Sequence, residues 1–267
     1  IEEKSKKLAL GLNVKGLLNI QFAIKDEELF ILEANPRASR TMPFVAKVTG
    51  NQIIKAGTLL MLGYSIDEVR NKTKYLSSSS NKVAIKKAIF PWSRFPAEDT
   101  MLGPEMKATG EVLGVGKEFG TALNKAYAAA GVEINNKEKG IFVTLSDSEK
   151  PNFIKTVNKY LELGFTLYST EGTGKFLKTN GIDSVIVGKA DDLGQTSLTI
   201  IEDKLVSLVI NTPTYANELS DGWKIRRLSH ETGVAVVSSV READAFIEAF
   251  LNQNLVLDDL EVIQDVS

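Results

Sequence analysis

From Ile141 onward, short apolar runs alternate with amphipathic stretches, and this pattern restricts the second half of the chain to few folds. Strands are expected at Ile141–Leu145, Thr166–Ser169, Ser184–Val187, Leu205–Asn211 and Ala235–Ser238. Helices are expected at Pro151–Leu163, Thr173–Asn180 and Val240–Asn252. Such alternation implies βαβ units and an open parallel sheet with helices on both faces. In the first helix Phe153, Ile154, Val157, Tyr160 and Leu161 fall on one stripe, Pro151 suits the first turn and Gly164 the C-terminal stop.

The first half has a different grammar. A charged helix at the N-terminus leads into hairpin strands Leu17–Ile24 and Leu29–Asn35. A helical stretch Ile53–Leu62, a loop at Ser77–Ser80 and a strand Val83–Phe90 follow. Pro- and Gly-rich turns, "FPWSRFPAEDTMLGPEMKATGEVLGVG", then precede a small helix Phe119–Ala130. This is irregular α+β, and polar Gly131–Lys139 reads as a linker, so the expected domains are 1–134 and 135–267. The chain of 267 residues begins at Ile1 without an initiator Met and reads as a piece of something longer.

Composition narrows the chemistry. With no cysteine and one histidine, His230, catalysis would have to run on carboxylates, amides, Lys, Arg or metal. A formal net charge of -2 lacks the basic field of a nucleic-acid binder, and no apolar run is long enough to cross a bilayer. The expected location is the cytoplasm, with neither nucleic acid nor membrane as partner.

Against that background "FILEANPRASRT", residues 30–41, stands out. Strand alternation puts Ile31, Glu33 and Asn35 on one face, with Glu33 and Asn35 about 6.6 Å apart. Gln21 on the partner strand faces Glu33 directly if the numbers of paired residues add up as 21 and 33 do, which requires an odd-length connection, most simply Asp26-Glu27-Glu28. These oxygen-bearing side chains could share a hard cation such as Mg²⁺, and Arg37 and Arg40 would offer forks to phosphate. On local pattern alone, a solvated strand end before a Pro36 turn is the simpler account.

The second half carries another pattern. "TLYSTEGTGKFL" ends a strand and opens a helix with Thr170, Gly172, Thr173 and Gly174, a combination that suits a phosphate monoester and is also ordinary turn chemistry. Lys150, Lys189 and Asn211-Thr212 fall at the same carboxyl edge, where open α/β sheets bind ligands.

The runs "NIQFAI...FILEANPRASRTMPFVAKVTG" and "LGPEMKATGEVLGVG" resemble the large subunit of carbamoyl phosphate synthetase, and the resemblance extends over essentially the whole chain. It implies a C-terminal remnant of an ATP-grasp α+β unit followed by a methylglyoxal-synthase-like domain. Gln21, Glu33 and Asn35 would then hold Mg²⁺ or Mn²⁺ with ATP, and Arg37, with Arg40 after it, would contact phosphate or the carboxyphosphate and carbamate intermediates. In the second domain UMP or IMP would bind at Thr144, Lys150, Thr170, Thr173, Lys189, Asn211 and Thr212.

The resemblance further implies a parent ligase joining bicarbonate and ammonia at the expense of two ATP, partnered by the remainder of the large subunit and a glutaminase small subunit. The adenine pocket, the phosphate-gripping Lys and Arg and the glycine-rich lid would precede Ile1, so the isolated chain is expected not to turn over. Lys86-Lys87 stand where ornithine-activated members carry a glutamate, which argues against ornithine control. A stand-alone nucleotide-sensing module is an alternative. A true methylglyoxal synthase is another, to which Asp147, Asp191 and Asp192 point but which lacks its histidine motif. His230 reads as structural or surface, and Trp92 and Trp223 as packing residues.

Overall fold

A computed structural model describes residues 1–73, 82–90, 92, 106, 109–132, 134, 140–212 and 220–251. The Ser77–Ser80 loop and most of the Gly131–Lys139 linker lie outside the described residues. The described chain divides into two compact units, one within residues 1–73 and the other within residues 82–251.

The first unit contains α1 (Glu2–Gly11), the hairpin β1 (Asn19–Lys25) and β2 (Glu28–Asn35), then α2 (Thr41–Thr49), α3 (Ile53–Met61) and α4 (Ile66–Lys72). α4 begins with a reciprocal capping box, in which Ser65 and Glu68 satisfy each other's backbone N–H groups. The Asp26-Glu27 connection has both residues at positive φ, 50° and 65°, as a two-residue hairpin turn requires. The three-residue loop expected from the sequence is therefore not formed. Gln21 still faces Glu33, because a bulge shifts the register between Gln21/Phe22, and Leu32 is the extra residue. A bulge changes pairing parity as one more loop residue would.

The second unit begins with the antiparallel pair β3 (Val83–Ile89) and β4 (Gly110–Gly116), followed by α5 (Phe119–Ala129). β4 falls in the stretch read as Gly-rich turns. The reason is α5, which lies so close that a Cβ on Gly114 would meet Ala122 O at 2.1 Å and Ala126 N at 2.6 Å. Glycine here marks close backbone approach and not a break in the strand.

A five-stranded parallel sheet follows, ordered β7 (Val185–Ile186), β6 (Leu167–Ser169), β5 (Gly140–Thr144), β8 (Val206–Asn211) and β9 (Ala235–Val237). One face packs Ile141, Val143, Leu208 and Ile210 against α5, α6 (Lys150–Glu162), α7 (Glu171–Thr179) and α10 (Val240–Leu251). The other packs Phe142 and Val209 against α8 (Thr199–Glu202) and α9 (Asp221–Thr232). Of the α6 stripe, Phe153, Val157 and Tyr160 are fully buried, Ile154 is partly buried, and Leu161 is exposed. Gly164, at φ +81°, takes the left-handed turn after α6.

α5 is fastened to α10 by the Asn124 amide donating to Ala249 O at 2.6 Å and by Tyr127 packed edge-on against Phe246. The β3-β4-α5 segment therefore belongs by packing to the parallel-sheet unit.

Candidate functional site

At the end of β2, the bulge and the ladder together bring three polar side chains to one atom. Gln21 Nε2 donates to Glu33 Oε1 at 3.2 Å, and Asn35 Nδ2 donates to the same oxygen. The expected convergence is present, with one difference. The amide nitrogens, and not the amide oxygens, face the carboxylate.

Two N–H donors concentrated on one carboxylate oxygen occupy the side a cation would take, and turning each amide over would present oxygen in their place. The donor set, one carboxylate and two carboxamides, thus fits a hard divalent cation. Among the described residues no group of three or more His, Cys, Asp or Glu could hold a metal. This set is of a different kind. Beyond it the chain turns at Pro36, Arg37 Nη1 donates to Ala38 O at 3.0 Å, and Arg40 precedes α2 as its exposed N-cap residue.

The second site lies at the carboxyl edge of the parallel sheet. Strand order reverses between β5 and β8, and an open α/β sheet has its ligand crevice at such a switch point. Thr144 ends β5 and pairs in register with Asn211, which ends β8. On the β6 side of Thr144, the single hydroxyl of Thr170, the N-cap residue of α7, has two acceptors in reach, Thr173 Oγ1 at 3.3 Å and Thr144 Oγ1 at 3.5 Å, and donates to one at a time. Buried Thr173 accepts the Leu145 N–H at 3.1 Å, and buried Thr212 accepts the Ser146 N–H at 2.8 Å. Hydroxyls thereby cap the strand ends and tie neighbouring loops.

The cations of this edge are partly engaged. Lys150 Nζ meets Asp147 at 2.6 Å and holds its exposed carboxyl below the usual carboxylate range. Lys189 follows β7; its backbone N–H donates to Asp192 at 2.7 Å, and its ammonium helps Lys175 to lower the Glu171 carboxyl. Asp191 pairs with Lys224 at 2.7 Å, raising the ammonium's pKa. The aspartates that suggest a methylglyoxal synthase thus have partners on the surface.

Thr144, Thr170, Thr173, Asn211 and Thr212 are gathered along adjoining strand ends, and Lys150 opens the helix after β5. Gly172 leaves open space, whereas Gly174 is accounted for by packing, since a Cβ there would meet Ile186 Cδ1 at 2.1 Å. Sequence reasoning missed Ser146 and Arg226. Ser146 follows an apolar strand directly, which was a usable signal. Arg226, 3% exposed, sits on α9 with nothing local to distinguish it from a surface arginine.

Trp92 and His230 pack against each other in the second unit. Their rings are 5.7 Å apart, and Arg227 Nη1 donates to Trp92 O at 3.1 Å. Burial, with Lys87, Arg227 and Arg226 nearby, pushes the His230 imidazole down to about 4.

Comparison with known proteins covers both sites. Residues 1–69 match the model of the carbamoyl-phosphate synthase L chain, ATP binding domain, and residues 152–238 match the MGS-like domain. The chain is 38% identical over 263 residues to the carbamoyl phosphate synthase large chain, C-terminal section, of Aquifex aeolicus, covering 93% of this chain and 49% of that protein. The corresponding section from Methanocaldococcus jannaschii is 39% identical, covering 91% of this chain and 40% of that protein. The large chain of Archaeoglobus fulgidus is 39% identical over 100% of this chain and 25% of its own length. The chain thus spans about half, or less, of the relatives it matches. It is homologous, over nearly all its length, to the C-terminal section of the carbamoyl phosphate synthase large chain, joining an ATP-binding segment of that type to an MGS-like domain.

Proposed function

We propose that this chain acts as the C-terminal part of a carbamoyl phosphate synthase, an ATP-dependent carbon–nitrogen ligase that makes carbamoyl phosphate from bicarbonate, glutamine-derived ammonia and two ATP, for pyrimidine and arginine synthesis. In this reading residues 1–134 would close the carbamate-phosphorylating unit and residues 135–267 would form the allosteric domain, with β3, β4 and α5 of the first packed on the sheet of the second. The partners are the rest of the large chain and a glutaminase small subunit, in the cytoplasm. Among the described residues no helix is long and apolar enough to cross a membrane.

The observation that carries the reading is the meeting of Gln21 and Asn35 on Glu33, within the matched ATP-binding segment and just before Arg37 and Arg40. Gln21, Glu33 and Asn35 would hold Mg²⁺ or Mn²⁺ with ATP; when bound, the ion neutralises charge on the triphosphate. Glu33 supplies the negative charge that draws the cation, and the two carboxamides, which hold that carboxylate through their N–H groups without the ion, would turn their oxygens to it. Arg37 and Arg40 supply fixed positive charge for transferring phosphate or carbamate oxygens.

The isolated chain is expected to show no carbamate kinase turnover. In the whole large chain, Glu33→Gln is expected to lower carbamate phosphorylation by about 100-fold or more. An unaffected rate in the variant would remove the metal-nucleotide reading, whereas turnover by the isolated chain would overturn the expectation that it needs the rest of the large chain.

For the second unit the proposed ligand is a regulatory mononucleotide, UMP or IMP, at Thr144, Lys150, Thr170, Thr173, Lys189, Asn211 and Thr212. The row of hydroxyls at the switch point supports this assignment, and equally supports the alternative of a nucleotide-sensing module without catalysis. Calorimetric titration should give saturable heat with UMP or IMP and little with Mg-ATP. Phosphate release from dihydroxyacetone phosphate would instead support a methylglyoxal synthase.

A further inference from the structure

We propose that Arg226 is a positioning residue for the carboxyl-edge site, fixing the Asn211 carboxamide so that it offers the crevice a hydrogen-bond donor and selects ligands that present an acceptor. The inference deepens the nucleotide reading of that edge and rests on it.

A carboxamide has two ends, and its chemistry toward a ligand depends on which end is turned away. Arg226 Nη1 lies 2.6 Å from Asn211 Oδ1, and both residues are buried, at 3% and 5% exposure. A guanidinium can only donate, so the carbonyl end of Asn211 must face it and the Nδ2 end must face elsewhere. Turning the amide over would set N–H against a buried cation. Desolvation makes that arrangement costly.

The local backbone makes room for this pair. Gly222, in the first turn of α9, would place a Cβ 3.0 Å from Arg226 Nη1 and 3.6 Å from each end of the Asn211 amide. Asn211 pairs in register with Thr144, so their side chains share one face at the switch point, and Thr144 Oγ1 lies 3.5 Å from the Thr170 hydroxyl. The Asn211 amide is thereby fixed by Arg226 before any ligand arrives, on the strand beside Thr144. Preorganisation of this kind converts a flexible amide into a reader of polarity.

A ligand that puts an acceptor oxygen beside Nδ2 satisfies that donor, whereas one that puts an amine there leaves two donors opposed. The expected discrimination is about ten-fold or more. The acceptor could be a base carbonyl or a phosphate oxygen. UMP, CMP and uridine separate these, because CMP exchanges the carbonyl at one base position for an amine and uridine lacks the phosphate.

The test is calorimetry of these three compounds on the chain and on Arg226→Met, with thermal melting to check folding. If Asn211 reads the base, the chain favours UMP over CMP about ten-fold, and Arg226→Met narrows that ratio to about three-fold or less. If it reads the phosphate, UMP and CMP weaken together in the variant by about ten-fold while uridine is unchanged. Either result supports a positioning role. A folded Arg226→Met that binds all three as the unaltered chain does overturns it.

Should Arg226→Met not fold, Asn211→Asp keeps an acceptor toward Arg226 and removes the outward donor. It is expected to melt near the unaltered chain and to lose UMP binding about ten-fold, and undiminished binding again overturns the proposal. If the unaltered chain binds none of UMP, IMP and inorganic phosphate, the nucleotide reading itself falls and this inference with it.

Discussion

Gly114→Ala is expected to destabilise the second unit by about 3 kcal/mol or more, lowering its melting temperature by roughly 6–12 °C. The added methyl would sit 2.1 Å from Ala122 O and 2.6 Å from Ala126 N. Both are backbone atoms inside α5, so the collision cannot be relieved by a rotamer change. α5 would have to lift from β4, disturbing the contacts that hold it to α10, among them the Asn124 bond to Ala249 O and the Tyr127–Phe246 ring pair. Gly172→Ala is the control. A Cβ there meets nothing within 4 Å, and the position is helical, so the change should be neutral to stabilising by about 1 kcal/mol. Thermal melts of the two variants compare the same change in a crowded and an open setting. Equal melting temperatures would show that α5 does not approach β4 as described.

The second large effect is a loss of stability in mild acid caused by His230. In the folded unit burial holds its imidazole down to about 4, and the cations Lys87, Arg227 and Arg226 act in the same direction. In the unfolded chain it titrates near the ordinary value of about 6.5. Above about pH 6.5 both states carry a neutral ring and the full stability is present. Between about 6.5 and 4 the unfolded chain binds a proton that the folded unit refuses, so stability falls as pH falls. Below about 4 both states are protonated and the loss levels off, at no more than about 3 kcal/mol for this group. His230→Gln removes the titrating group while keeping a side chain of similar reach beside Trp92. The difference in melting temperature between the two proteins should shrink or reverse from pH 7 to pH 4.5. Parallel melting curves across that range would rule out a buried neutral imidazole. Carboxylates that titrate near pH 4 act on both proteins alike and cancel in the comparison.

Several features were legible because they are local. The alternation of apolar strands and helices fixed the parallel-sheet unit, since a period-2 or period-3.6 pattern is written in neighbouring residues. Pro151 and Gly164 marked the ends of α6 for the same reason. The facing of Gln21 and Glu33 was accessible as a parity condition on pairing. Its realisation was not, because a two-residue turn plus a bulge at Leu32 satisfies the same parity as a three-residue loop. Turn type and bulge compensate each other, and only the folded ladder shows which pair is used.

The residues themselves determined a parallel-sheet unit with helices on both faces, a hairpin ending in Glu33 and Asn35, and a polar edge containing Thr170 and Thr173. Tertiary structure alone decided that Gly110–Gly116 is a strand, because a glycine that permits a helix to approach looks, in sequence, like a glycine that permits a turn. It decided also that β3, β4 and α5 pack with the parallel sheet, and that Arg226 stands behind Asn211. These outcomes depend on contacts between segments distant in the chain, whereas local sequence patterns specify only what each segment can become.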